Sequence, residues 1–166
     1  TPDPAAMTPL FCAAVNAETE IAKVLIEHKA DVNATDKQRH TPLHLIAGQL
    51  QKESAGIAAL LLDHKANVNA SGGWSDSAPL HLAILSGRID LVKLLLEHGA
   101  DVSARHGRGE TPLHLAVGEA RRDMVELLLR HKADVNVKTE DGVTPLDIAK
   151  ALKAPEIEAL LKSSHK

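Results

Sequence analysis

A mostly α-helical solenoid of helix-turn-helix units is the fold class this sequence predicts, and three observations predict it. A proline-containing tetrapeptide recurs as Thr8-Pro9-Leu10-Phe11, Thr41-Pro42-Leu43-His44, Ala78-Pro79-Leu80-His81, Thr111-Pro112-Leu113-His114 and Thr144-Pro145-Leu146-Asp147, at successive offsets of 33, 37, 33 and 33 residues. Behind each copy lies a segment with apolar residues at spacings of three and four, as in Ile89, Val92 and Leu95, the pattern of one helix face. Each of the first four units then closes on a stretch rich in Gly, Asp, Asn and Ser, which reads as an exposed turn. Five such units in register describe an array whose stability is a sum over neighbours rather than the property of one central core.

A period near 33 residues carrying T-P-L-H-x-A resembles the ankyrin repeat, and the pattern covers the chain from Thr8 to about Leu161. The repeats run over about 8–40, 41–77, 78–110, 111–143 and 144–162, within a single domain spanning 1–166. The resemblance implies that the turns at Asp31 to His40, Asn67 to Ser77, Asp101 to Glu110 and Asp134 to Val143 project as β-hairpin fingers. It implies equally that the motif histidines His44, His81 and His114 hydrogen-bond within and between repeats.

Taken in order, Thr1 to Met7 with Pro2 and Pro4 form an irregular lead-in. In each copy the Thr can cap the first free amides of a helix, and the Pro suits the first helical position because no N–H is needed there. Ala78 forfeits that cap. The fifth position of the unit is apolar throughout (Cys12, Leu45, Leu82, Leu115, Ile148) and the sixth is mostly Ala, so both are expected in the core, Cys12 included. The second helices carry the wide apolar faces Ile21, Val24, Leu25; Ile57, Leu60, Leu61; Ile89, Val92, Leu95; Met124, Val125, Leu128; and Ile157, Leu160, Leu161. Lys23, Glu27, Lys93, Glu97, Glu126 and Arg130 belong to the opposite, solvated face.

Repeat two has 26 residues from Thr41 to Asn67 where the other complete copies have 23, which puts three extra residues near Gln49 to Ala55. One more enters the following finger, Ser71-Gly72-Gly73-Trp74-Ser75-Asp76. Polar Lys150, Lys153, Glu156, Glu158 and Lys162 dress the last copy as a C-terminal cap. The first copy is comparatively apolar at Val15, Ile21 and Ile26, so further repeats are expected ahead of it. Where a second helix ends, the family's usual glycine is present at Gly99 but replaced by Lys29, Lys65 and Lys132.

Composition narrows the function. The formal charge is −3, from 19 basic and 22 acidic residues, so no basic excess points to nucleic acid. Apolar runs are too short for a membrane span and no secretory leader precedes them. One cysteine suits a reducing compartment, and a monomer of the cytoplasm or nucleus is expected. The sequons at Asn33-Ala34-Thr35 and Asn69-Ala70-Ser71 share one repeat position, which accounts for them without glycosylation.

Ten histidines invite a metal site, yet seven fall at repeat positions. His44, His81 and His114 close the motif, and His28, His64, His98 and His131 end second helices, where a donor can satisfy free carbonyls. One residue per repeat is spread along a row, whereas zinc needs ligands at about 2 Å from a common centre. Neither a metal nor a cofactor is expected. A Gly-rich phosphate loop, a nucleophile elbow and a His-Glu-x-x-His helix are all lacking, and an open stack of equivalent positions gives catalytic groups no pocket to converge on, so no enzyme activity is expected.

Trp74 stands apart as the single tryptophan, in the lengthened finger, with no core position in the repeat. Two placements are open to it, an anchor for a partner or a fold-back onto its own finger, and the first is preferred. Alignment of the copies sets Ser75, Ser77, Leu85 and Ser86 beside it on the concave surface of fingers and first helices that ankyrin proteins use. Neighbouring fingers add Lys37, Gln38, Arg39 and His40, and Arg105, His106 and Arg108, either as basic flanks for an acidic partner or as solubilising charge. The function implied is binding another protein as an adaptor or scaffold. The alternative is an inhibitor or regulatory subunit of a kinase or other enzyme, given the similarity in size and repeat number to ankyrin-type inhibitors of cyclin-dependent kinases. The resemblance also implies asparagine hydroxylation at Asn33 and Asn136, each preceded by Asp-Val and a leucine eight residues upstream.

Overall fold

The computed structural model describes residues 8–48, 55–73 and 75–164. Trp74, the lead-in to Met7, and most of the insertion expected near Gln49 to Ala55 lie outside them. Among the described residues are ten helices in five pairs. The first helices are α1 (Pro9–Val15), α3 (Pro42–Gly48), α5 (Pro79–Leu85), α7 (Pro112–Gly118) and α9 (Pro145–Ala151), each of seven residues. The second helices are α2 (Thr19–Glu27), α4 (Ala55–Asp63), α6 (Ile89–Glu97), α8 (Arg122–Arg130) and α10 (Pro155–Ser163), each of nine. First helices pack on first and second on second along the stack. Helices this short do not persist alone in water, so the packing between neighbours holds them.

Why they stop is local. After α1, α5, α7 and α9 the chain turns through the left-handed residues Ala17, Gly87, Ala120 and Lys153; after α2, α4, α6 and α8 it does so at Lys29, Lys65, Gly99 and Lys132. Around each, paired backbone bonds such as Lys29 N–H to Ile26 C=O at 2.9 Å and Ala30 N–H to Leu25 C=O at 2.9 Å close the helix end. These are the bonds that satisfy carbonyls with no intrahelical partner.

One apolar core runs through all five pairs. The sixth position (Ala13, Ile46, Ala83, Ala116, Ala149) is sealed throughout, so neighbouring first helices approach closely. The fifth position differs from expectation. Cys12 is exposed, Leu45, Leu82 and Ile148 are half-buried, and only Leu115 is buried. At 100° per residue the fifth position lies about 200° from the buried third, so it belongs to the side turned away from the second helices, here called the inner face.

Two further corrections concern the second helices. In α6 the buried set is Leu91, Val92, Leu95 and Leu96, with Ile89 half-buried at its start. In α2, Ile21 and Val24 are 51% and 52% exposed, although their counterparts Ile57, Leu91, Met124 and Ile157, and in part Leu60, Leu94, Leu127 and Leu160, are covered. Those counterparts pack against the preceding second helix, and α2 has none before it among the described residues.

The fingers are turns rather than the expected β-hairpins. A backbone bond at the same place closes each of them: Asp36 N–H to His40 C=O, Gly72 to Ser77, His106 to Glu110 and Thr139 to Val143, at 3.0–3.1 Å, and in the third finger Glu110 N–H returns a bond to His106 C=O at 3.0 Å. Two of these are isolated antiparallel bridges, and no strand forms among the described residues. One amide near each of the later tips pairs sideways, with Gly73 N–H on Gln38 C=O, Gly107 on Ser75 and Glu140 on Arg108 at 2.7–2.9 Å, so each of these tips is tied to the finger before it. At Gly72 a Cβ would overlap the Arg39 carbonyl, and only glycine permits that approach.

A second ladder runs through the asparagines. Asn33 Nδ2 donates to Lys65 C=O at 3.3 Å while its Oδ1 accepts Asn67 N–H at 2.7 Å; Asn69 repeats this with Gly99 C=O and Asp101 N–H at 3.1 and 2.8 Å. Ser103 breaks it, although its own amide is held by Asp101 Oδ1 at 2.8 Å as Asn33's is by Asp31. Asn at this position would meet Lys132 C=O and Asp134 N–H. Ser103→Asn is expected to add about 1–2 kcal/mol of stability from two net hydrogen bonds, read as a higher urea midpoint; an unchanged midpoint would mean that the third and fourth repeats are not aligned as the earlier ones are.

Candidate interaction surface

The motif histidines organise the floor on which the fingers rest. His44 Nδ1 accepts Thr41 N–H at 3.1 Å and the Thr41 hydroxyl at 2.8 Å, while Nε2–H donates to Ser77 C=O at 3.0 Å. His114 repeats the arrangement with Thr111 and Val143 C=O, and His81 with the Ala78 amide and Ala104 C=O. Each ring is thus a neutral tautomer with a donor on one side and an acceptor on the other, joining the start of a helix to a finger. Thr41 and Thr111 donate their hydroxyls to histidine, and the Thr8 and Thr144 oxygens accept a first-turn amide as the sequence predicts, at 3.3 and 3.2 Å. Asp147 takes the histidine's place in the last repeat and keeps the acceptor half, receiving Thr144 N–H and O–H at 3.0 and 2.6 Å.

Burial holds all three imidazoles below their ordinary range, His81 to about 4, with the nearby His106 adding to the effect. At the other end of the units, His28, His64 and His98 donate from Nδ1 to the carbonyls of Val24, Leu60 and Leu94 at 2.8–2.9 Å, the helix-ending role expected of them.

Above this floor the predicted contact residues separate into two groups. Leu85 is 41% exposed on the inner face, and Ser86 follows it half-buried. Lys37, Gln38, Arg39, Ser75, Arg105 and Arg108 are exposed on the fingers. Ser77, by contrast, is buried and carries the His44 bond, which takes it off the contact surface. His40 is half-buried and held by Asp36 Oδ2 at 3.0 Å. His106 packs on the His81 ring with centroids 4.7 Å apart.

The finger charges are largely matched among themselves. Arg39 pairs with Asp76 at 3.1 Å and Arg108 with Asp141 at 3.5 Å, from one finger to the next, and Arg105 Nη1 donates to Gly109 and Lys138 carbonyls at 3.2 and 3.1 Å. Such exposed pairs add little stability, but they fix the fingers relative to one another and reduce the basic character their sequence suggests.

Sequence reasoning placed Leu85 and Ser86 on the inner face but missed the rest of its apolar strip. Cys12, Leu45, Leu82 and Ile148 present apolar surface there, and Leu152 is 48% exposed at the end of α9. Beside Leu85, at the same repeat position, stand Gly48 and Gly118, with open space where a side chain would be. The signal was available: an apolar residue at every fifth position, on the side of the helix away from the buried third.

Stacked helix pairs with a row of turns on one edge and an inner strip of partly exposed apolar side chains define a repeat scaffold that presents a surface. The chain belongs to the ankyrin-repeat family: the family description for three copies of the repeat matches residues 2–71 and 36–106, and that for many copies matches 95–149. Ankyrin repeats are in general non-enzymatic modules of protein–protein interaction. Among curated proteins, NF-kappa-B inhibitor alpha of Sus scrofa is 34% identical over 100 residues, 59% of this chain and 32% of that protein. The ankyrin repeat and KH domain-containing protein mask-1 of Caenorhabditis elegans is 33% identical over 97 residues, 58% of this chain and 4% of that protein. The nuclear factor NF-kappa-B p105 subunit of Gallus gallus is 34% identical over 98 residues, 59% of this chain and 10% of that protein. The chain spans about a third or less of the length of these relatives. No helix among the described residues is long and apolar enough to cross a membrane.

Proposed function

We propose that residues 1–166 act as one adaptor or scaffold module, a monomer in the cytoplasm or nucleus, that binds a partner protein along the inner strip and the adjoining fingers. The observation that carries this is Leu85, a large apolar side chain 41% exposed between two glycines on the inner face. Its exposure serves no core, and covering it on binding contributes on the order of 1–2 kcal/mol. Fingers already locked side by side lose little freedom when a partner arrives. The preferred role for Trp74, an aromatic anchor in the second finger, adds to the same surface.

The test is affinity for a captured partner. Leu85→Asp is expected to weaken binding at least about tenfold, since it removes the apolar contact and buries a charge, with the melting temperature unchanged; Trp74→Ala is expected to weaken it as well. Full binding by both variants would move the contact elsewhere. A second reading, inhibitor or regulatory subunit, has the inhibitor named among the relatives in its favour. It predicts that adding the protein slows turnover by a captured enzyme, which an adaptor leaves untouched. Affinity for nucleic acid that falls steeply with salt would instead displace both readings.

Hydroxylation is proposed at Asn136 ahead of Asn33. Asn33 has its side-chain amide engaged at both ends, whereas the bond made at Asn136 comes from its backbone N–H to Asp134 Oδ1. Incubation with a 2-oxoglutarate-dependent asparaginyl hydroxylase, dioxygen and 2-oxoglutarate is expected to add one oxygen to the peptide containing Asn136; a modified Asn33 peptide with an unmodified Asn136 would reverse the assignment.

A further inference from the structure

Gly48 and Gly118 end α3 and α7 at the repeat position that Leu85 holds in α5. Both have the helical backbone of their neighbours rather than the left-handed φ at which glycine is required, and a Cβ on either would meet nothing beyond its own helix backbone within 4 Å. Glycine at a helical position lowers stability relative to alanine, yet here neither the backbone nor a packed neighbour calls for it. What the two glycines do is leave a recess on either side of an exposed leucine. One turn back on the same helices, Leu45, Leu82 and Leu115 form an apolar floor, the first two half-buried and the third buried.

The construction of the strip selects the kind of segment that can lie on it. It is made of side chains on helices whose backbone groups are bonded internally, and no strand forms among the described residues. An extended chain laid there would bury amides and carbonyls with no ladder to pair them. A helix arrives with those bonds already made and needs only apolar contact. Spacing agrees. First helices pack side by side along the stack, and packed helices lie about 8–10 Å apart, while seven residues of a helix advance about 10.5 Å. Residues i, i+7 and i+14 of a helix crossing the strip therefore stand over α3, α5 and α7 in turn, with a drift of only about 20° per step.

We propose that the inner strip seats an amphipathic helix of the partner protein, with bulky apolar side chains at i and i+14 in the recesses over Gly48 and Gly118 and a glycine or alanine at i+7 over Leu85. The inference rests on the reading of this strip as the binding surface and adds the kind of partner it takes. Each filled recess removes the apolar surface of a large side chain from water. Leu85 acts in two ways: the helix covers it, and it rejects a large residue at i+7. The order large, small, large then sets the register among helices that apolar burial alone would accept.

Nuclear magnetic resonance titration of the labelled protein, followed at the amides of Gly48, Leu85 and Gly118, tests this with three synthetic peptides of about twenty residues, long enough to cross three first helices. The first is side-chain bridged to hold a helix, polar elsewhere, and carries Phe at i and i+14 with Ala at i+7. The second, also bridged, has the same composition with Phe at i and i+7 and Ala at i+14. The third is the first with prolines that prevent a helix. The first peptide is expected to shift the three amides saturably and to bind at least about tenfold more tightly than either control, the loss of one buried aromatic contact. Gly48→Leu and Gly118→Leu fill the recesses, and each is expected to weaken its binding at least about tenfold; both sites are exposed with open space, so the fold is kept. Leu85→Gly opens the middle and is expected to bring the second peptide level with the first. No saturable shift with the first peptide, equal binding of the first two by the parent protein, tighter binding of the proline peptide, or undiminished binding by the two leucine variants would each overturn the proposal. Capture of a partner through Leu85 is a separate measurement, so a strip that binds its partner but not the helix is told apart from a failed interaction module.

Discussion

As the pH is lowered from about 7 to about 4.5, the protein is expected to lose several kcal/mol of stability, most of it through the motif histidines. His81 is fully buried and held at about 4, against 6.5 when the chain is unfolded. The unfolded state therefore takes up a proton first. The stability this contributes is fully present above pH 6.5 and drains away as the pH falls through about 4, amounting to about 3 kcal/mol for this residue. His44 and His114 are shifted in the same direction by the same cause, burial, and lose stability over the acid side of the same 6.5 reference. The carboxylates of Asp36 and Asp90 also lie below their ordinary value, but they give up stability only near and below pH 4, so the first part of the decline belongs to the imidazoles. Urea midpoints measured across this range check the expectation. His81→Gln keeps a donor and an acceptor without a proton to gain; it is expected to be less stable at pH 7 and to flatten the slope. A midpoint level between pH 7 and 5 in the parent protein would mean that these rings are not held neutral by burial.

The acid response is legible in the sequence only in part, and the reason is physical. Period and motif locate His44, His81 and His114, because a repeat fixes which residues are equivalent. They do not say that Thr41 and Thr111 donate their hydroxyls to Nδ1 of the ring, a bond that requires the imidazole to be held neutral by burial. Helix existence and order follow from spacing for the same reason that Cys12 was misplaced. A seven-residue helix has nearly two apolar sides, and spacing alone cannot tell the side facing the core from the side facing the inner strip. Ile21 and Val24 carry the right pattern for burial, but among the described residues no second helix precedes α2 to cover them as their counterparts are covered. Finger charges such as Arg39 and Arg108 read as basic in the sequence because their acidic partners, Asp76 and Asp141, lie about one repeat away along the chain and meet them only when the turns stand side by side.

The triple substitution Lys29→Gly, Lys65→Gly and Lys132→Gly is expected to stabilise the protein. All three lysines have φ of 65°, in the left-handed region where Gly99, their counterpart in the third repeat, sits at 83°. A residue with a Cβ is strained there by about 1–2 kcal/mol, because Cβ crowds the following carbonyl. Glycine removes that strain but gains freedom in the unfolded chain, which offsets about 0.5–1 kcal/mol. The side chains are exposed, so little packing is lost, and the backbone bonds that close each helix, including Asn33 to the Lys65 carbonyl, involve no lysine side chain. A net gain of about 0.5–1 kcal/mol per site remains, and sites in the first, second and fourth repeats with no shared side-chain partner should add. For a chain of this size the sum of about 2 kcal/mol corresponds to a melting temperature higher by about 4–8 °C. The control is Gly99→Lys, which puts the strain into the one repeat that lacks it and should lower the melting temperature by the single-site amount. A triple variant that melts no higher, together with a Gly99→Lys variant that melts no lower, would place these four residues outside the left-handed region and remove the helix endings on which the repeat geometry depends.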